Sequence, residues 1–262
     1  MFELVGYEAR RRAKGSAALA VLVGAFAVMM VAIFPSIEAS GVDFASYAES
    51  LPPAVQAAFN IQAITTVEGF LAVEFYQFVW VLLLGLYVAY AAGSTLAGEI
   101  ESGRIELTLA APIRRRRVVA EKALAQLAPV LFLSAVTPPV LYLAVLAIGE
   151  SLPVERLVAA HALGVAYLAA CGGIGLLLSA ALSRADFAQR GAIGAVFGLF
   201  VVDSVSSGTD FSALGALSPT RYYDPTAILV EGTYDLGGAL VLSAGALLLC
   251  ALAAVVFARR DV

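Results

Sequence analysis

Six runs of predominantly apolar residues, each close to 20 long, constrain this chain more than any other feature. They lie at about Ser16–Phe34, Val73–Ala92, Leu127–Ile148, Leu157–Leu182, Gly191–Ser207 and Gly238–Ala258. An α-helix rises about 1.5 Å per residue and the hydrocarbon layer of a bilayer is about 30 Å thick, so a run of about 20 residues spans it. Composition agrees: 61% of the residues are hydrophobic and 14% charged, against roughly half and a quarter in soluble domains. The expected fold is an all-α integral membrane protein with six transmembrane helices. The fifth run is the most polar, because "VVDSVSSGTD" closes it and carries Asp203.

Orientation follows from the basic residues. With six spans and both termini inside, fourteen of the sixteen Lys and Arg fall on inner segments and only Arg156 and Arg221 fall outside. That bias is the positive-inside pattern. The formal charge of −4 hides a molecule of about +6 on one side and −10 on the other. Residues 1–262 are therefore read as a single transmembrane domain. Its parts are an inner interfacial helix at 1–15, an external loop at 37–72, a cytoplasmic loop at 94–126 and a second external loop at 208–237.

Local patterns refine this plan. "MFELVGYEARRRAKG" reads as a short helix lying along the inner headgroups, or as a basic terminus that only sets topology. A cleaved leader is disfavoured because the apolar run is too long for one. "LPPAVQAAFNIQAI" reads as a helix resting on the outer surface, and Thr65 to Glu68 has capping-box spacing at the start of the next helix. Pro138 and Pro139 near the middle of the third span should bend or break it. "CGGIG" in the fourth span, and Gly191, Gly194 and Gly198 in the fifth, give small-residue faces that allow close helix approach. Cys171 and Cys250 lie in apolar surroundings without a ligand set and read as packing residues. The Arg-rich, externally acidic composition would suit a salt-loving or GC-rich source.

Several chemistries find no support. The chain has no HExxH zinc motif, no paired-aspartate run for lipid phosphotransfer and no GxSxG elbow. His161, the one histidine, has no acidic or nucleophilic neighbour in sequence and reads as a packing or hydrogen-bonding residue. A GxxxxGK[ST] phosphate loop is also absent, so any ATP that powers the protein must be held by another polypeptide. A secondary transporter would need an intramembrane ionisable group instead, and Asp203 is its best candidate.

The most informative polar stretch is "GEIESGRIELTLAAPIRRRR", Gly98 to Arg117. Four arginines at mid-bilayer would cost roughly 10 to 14 kcal/mol, which places Arg114 to Arg117 in the cytoplasm. Read as a helix from Gly98, the stretch carries Ile100, Gly103, Leu107 and Ala111 on one side and Glu99, Ser102 and Glu106 on another, until Pro112 stops it. Its carboxylates face a negatively charged leaflet, so docking to a protein suits this rod better than floating on lipid.

The residues "AGEIESGRIELTLAAPIRRRRVVAEKAL" resemble the inner loop of ABC-2 type transporter permeases. There a Gly-Glu-x-Glu-x-Gly run precedes an apolar stretch, a proline and a basic segment ending in Lys. Glu99, Glu101, Gly103, Pro112, Arg115 and Lys122 match as they stand, whereas Arg104 replaces a common Thr, and Ile113 and Arg114 follow the proline where Ser or Thr is usual. The resemblance extends to the region before the second span and to the six-span plan. It implies a permease, an exporter by family habit, that pairs with a second copy or paralogue in the lipid bilayer. An ATP-binding cassette subunit would hold ATP and Mg, with no cofactor on this chain and no nucleic-acid partner. The loop would be a coupling helix, with Glu99, Glu101, Gly103, Glu106, Leu107, Pro112, Arg114, Arg115 and Lys122 docking the ATPase. Asp203, Pro138 and Pro139 are the candidates for a transport path.

Overall fold

The computed structural model describes residues 3–39, 66–110, 113–209 and 211–260. Within them the chain is helical without a strand, and six helices are long and apolar enough to cross a membrane. Helix α1 spans Glu3–Ala39. Helix α2 begins with the turn Val67–Phe70, continues through a π-helical stretch Leu71–Leu84 and ends as the α-helix Gly85–Gly93. Two short helices follow, α3 at Ala97–Glu101 and α4 at Arg104–Leu109. The remaining long helices are α5 (Arg115–Ala147), α6 (Val154–Ala181), α7 (Ala185–Ser206) and α8 (Leu236–Ala258). Between α7 and α8 lie 3₁₀ turns at Ser212–Leu217 and Pro219–Tyr222 and a π-turn at Ala227–Glu231.

Two helices exceed the hydrocarbon layer most. The 37 residues of α1 and the 33 of α5 correspond to about 55 Å and 50 Å of helix, against about 30 Å of hydrocarbon. The surplus lies at the basic end, where the two pack along each other. Residues 3–15 thus continue the first span in one helix, and are not a separate element. Likewise Arg115–Arg117 form the first turn of α5, which runs unbroken through Pro129, Pro138 and Pro139. Neighbouring helices and side chains can satisfy the carbonyls left free where proline lacks an N–H, and α5 is not broken at Pro138 and Pro139.

Helix α6 is the hub. It packs against α8, α2, α5 and α7, and its Gly175 lies so close to α2 that a Cβ there would overlap the Ala89 carbonyl oxygen. The "CGGIG" motif thus serves close approach, whereas Gly194 and Gly198 of α7 have nothing within 4 Å of a built Cβ. Thr66, one residue after the expected Thr65, caps α2 by accepting a hydrogen bond from the Gly69 amide at 3.1 Å. Thr65 and the "LPPAVQAAFNIQAI" segment lie outside the described residues.

Candidate functional site

The polar residues between α2 and α5 fold back onto the basic end of the bundle. Helix α3 has no side-chain cap of its own. The Ser179 hydroxyl of α6 supplies one, accepting from the amides of Leu96 (2.9 Å) and Ala97 (3.0 Å). This satisfies donors that a helix start leaves free.

One turn later Glu99 points inward, 8% exposed, and its Oε1 accepts from Lys122 Nζ at 2.6 Å. Lys122, on α5 and 1% exposed, also donates to Glu8 Oε1 of α1 at 3.1 Å. One buried ammonium therefore joins three helices. Around it, Arg12 Nε lies 3.6 Å from Glu8 Oε2, and Arg12 and Gln126 both donate to the Thr95 hydroxyl, at 3.4 and 3.1 Å. Buried charges are tolerated when paired in this way. Glu99 Oε2 is buried without a hydrogen-bond partner.

The expected continuous rod from Gly98 is broken. Gly103 adopts φ +70°, in the left-handed region that favours glycine, and separates α3 from α4. The break turns Ile105 into the bundle, where it is 2% exposed and packs with Leu96, Val119, Leu176, Ala180, Ala253 and Phe257. Its neighbours face out: Arg104 and Glu106 are exposed, and Leu107 is 78% exposed. Glu101 is exposed too, yet its Oε2 accepts from the Ala185 amide at 2.9 Å and so caps α7.

The basic run is anchored at its second member. Arg115 donates to the Arg260 carbonyl. The Arg260 guanidinium in turn reaches the carbonyls of Ala180 (2.8 Å) and Leu182 (2.9 Å) and the Ser183 hydroxyl (2.6 Å). Arg117 pairs with Glu121 at 2.7 Å, while Arg114 and Arg116 are exposed.

The predicted docking residues thus fall into two sets. Glu101, Gly103, Glu106, Leu107 and Arg114 are exposed, Arg115 is half-buried, and Glu99 and Lys122 are buried and bonded to each other. As a surface that a partner could touch, the last two are corrected to an internal tie, because burial removes both from reach. Pro112 lies outside the described residues. Sequence reasoning missed Glu8, Thr95, Ile105 and Ser179. The available signal for Glu8 was an acid standing alone before "RRRAK", one helical turn from Arg12.

Asp203 lies near the end of α7, at the opposite pole. Thr220 donates to its Oδ2 at 2.7 Å, and Arg221 lies 3.9 Å from Oδ1, so it fastens the 3₁₀ segment to the bundle. Pro138 and Pro139 are internal to α5. The same pole holds a neutral aromatic cluster. The Tyr76 hydroxyl is 3.2 Å from His161 Nδ1, which is also 2.9 Å from the Leu157 carbonyl, and Trp80 meets the imidazole edge-on at 4.6 Å. Tyr167 donates to the Val81 carbonyl of the π-helical stretch and stacks on Tyr223, which donates to the Ala160 carbonyl. Burial, with the Asp224 carboxylate nearby, pushes the Tyr223 phenol above its ordinary range and keeps it a neutral donor.

Comparison with known proteins finds a matching family. Its model, described as ABC-2 family transporter protein, matches residues 4–262. No curated protein matches the chain.

Proposed function

The chain belongs to the ABC-2 family of transporter proteins, a multi-pass membrane component of an ABC transporter, and we propose that it is an exporting permease powered by ATP hydrolysed on a separate cassette subunit. In this reading the basic end faces the cytoplasm, a second permease copy or paralogue completes the path, and α3 with α4 forms the seat of the ATPase.

The observation that carries the proposal is the two-sidedness of α3 and α4. Their inner side is fixed to four long helices, through Lys122 and Glu8, Ser179 and the Ala185 amide. Their outer side offers Glu101, Arg104, Glu106 and Leu107. An exposed leucine flanked by charges is the composition of a small docking point, with the apolar group supplying burial and the charges supplying register. A load applied there reaches α1, α5, α6 and α7 together. A secondary transporter built on Asp203 is less well supported, since that carboxylate is engaged in tying down Thr220 and Arg221.

The test is co-expression with the cassette ATPase. Leu107→Asp and Glu106→Arg are expected to abolish co-purification and remove stimulation of ATP turnover, while helical content and monodispersity stay unchanged. Unchanged association and turnover in both variants would overturn the proposal.

A further inference from the structure

Helices α1 and α2 diverge towards the basic end. Helix α1 packs on α5 there, while the lower part of α2 packs on α6 and α7. The gap between them is a cleft of about 480 Å³, within the range of about 300–1,000 Å³ typical of small-molecule sites. Its deep walls are apolar: Leu84 and Val88 of α2, and Val130 and Leu133 of α5. Its mouth carries Arg11 and Arg12 of α1 and Arg104 of α4.

Every charge at the mouth can be accounted for. Two carboxylates line the cleft, Glu8 and Glu99, and both are bonded to Lys122. Arg12 is shared with Glu8 and Thr95. Arg11 and Arg104 are exposed, so the mouth keeps net positive charge above an apolar interior. Glu99 Oε2 adds a buried acceptor without a partner. Basic pockets between transmembrane helices on the side of excess Lys and Arg hold anionic lipid heads.

We propose that this cleft binds an anionic glycerophospholipid from the basic-side leaflet, its phosphate at Arg11 and Arg104 and one acyl chain along Leu84, Val88, Val130 and Leu133. A head bearing hydroxyl groups fits best, because a hydroxyl can donate to Glu99 Oε2 while the phosphate accepts from the arginines. The cleft shares Arg104 with the proposed ATPase seat, but lipid retention is read on the chain alone and docking on Leu107 and Glu106 variants, so failure of either idea leaves the other standing.

Native mass spectrometry of the purified full chain tests this, with phosphatidylglycerol, phosphatidylcholine of the same chains, and inorganic phosphate as probes. Phosphatidylglycerol is expected to be retained at least about tenfold more than phosphatidylcholine, and the Arg11→Gln/Arg104→Gln double variant to cut that preference by about tenfold. Gly15 also lines the cleft, and nothing lies within 4 Å of a Cβ built on it. Gly15→Phe should therefore block both lipids without disturbing the fold, which circular dichroism and gel filtration check. Equal retention of the two lipids, indifference to both variants, or competition by inorganic phosphate alone would overturn the proposal. So would a disulfide between two copies formed through Gly15→Cys, since a second chain would then fill the cleft.

Discussion

The two poles of the bundle solve the same problem with different chemistry. At the acidic pole, the buried polar ties are made by phenol hydroxyls: Tyr76 to His161, Tyr167 to the Val81 carbonyl, Tyr223 to the Ala160 carbonyl. At the basic pole they are made by charged groups: Lys122 to Glu8 and Glu99, Arg260 to the end of α6. Neutral hydrogen bonds add about 1 kcal/mol each and leave modest debts when broken. A buried charge left alone costs several times more. The aromatic pole can therefore lose one contact and persist, whereas the ionic pole holds only while all its members stay together. That contrast suits a molecule read as stationary at one end and loaded at the other.

The strongest way to break the contrast is Lys122→Met, which leaves Glu99 buried without its cation and Glu8 with Arg12 alone. It is expected to cost about 3–5 kcal/mol of unfolding free energy in detergent. Glu8→Gln/Glu99→Gln/Lys122→Met together should recover most of that loss. If the single variant is neutral, the ionic tie does not hold the three helices.

Next is Ile105→Ala, which empties the socket formed by Leu96, Val119 and Phe257. About 2–4 kcal/mol is the expected cost for a buried isoleucine. Hydrogen exchange should show the loss first in α4 and in the adjoining end of α8. A smaller effect sharpens the comparison from the other pole: Tyr167→Phe removes a donor from the Val81 carbonyl and should cost about 1 kcal/mol. A thermal shift as large as that of Lys122→Met would erase the distinction. Smallest is Glu106→Gln on the exposed side of α4, expected within about 0.5 kcal/mol of the parent in stability.

Much of the architecture was legible because span length is a one-dimensional property. All six runs became membrane-length helices, and the helix over Gly191–Ser207 gained a turn and a half at its start, where Ala185 is capped by Glu101. What failed was the assignment of charged residues to the surface. Glu99 and Lys122 sit among other charges in sequence, and nothing local distinguishes a solvated lysine from one enclosed by partners 23 and 114 residues away. The single helix drawn from Gly98 failed for a related reason, since periodicity carries through Gly103 while the burial of Ile105 requires the chain to turn there. The π-helical stretch Leu71–Leu84 has no sequence signature in its apolar pattern, and its stabilising partner, Tyr167, lies on another helix.

Ser179 has one further consequence. A single oxygen atom receives the amides of Leu96 and Ala97 at the start of α3, so that short helix cannot slip along α6 without surrendering both at once. Eighteen residues earlier, about 27 Å along the same rod, α6 carries His161 amid the rings of Tyr76 and Trp80. The two poles therefore share one axle, and a displacement gripped at its serine end is delivered to its histidine end without an intervening joint.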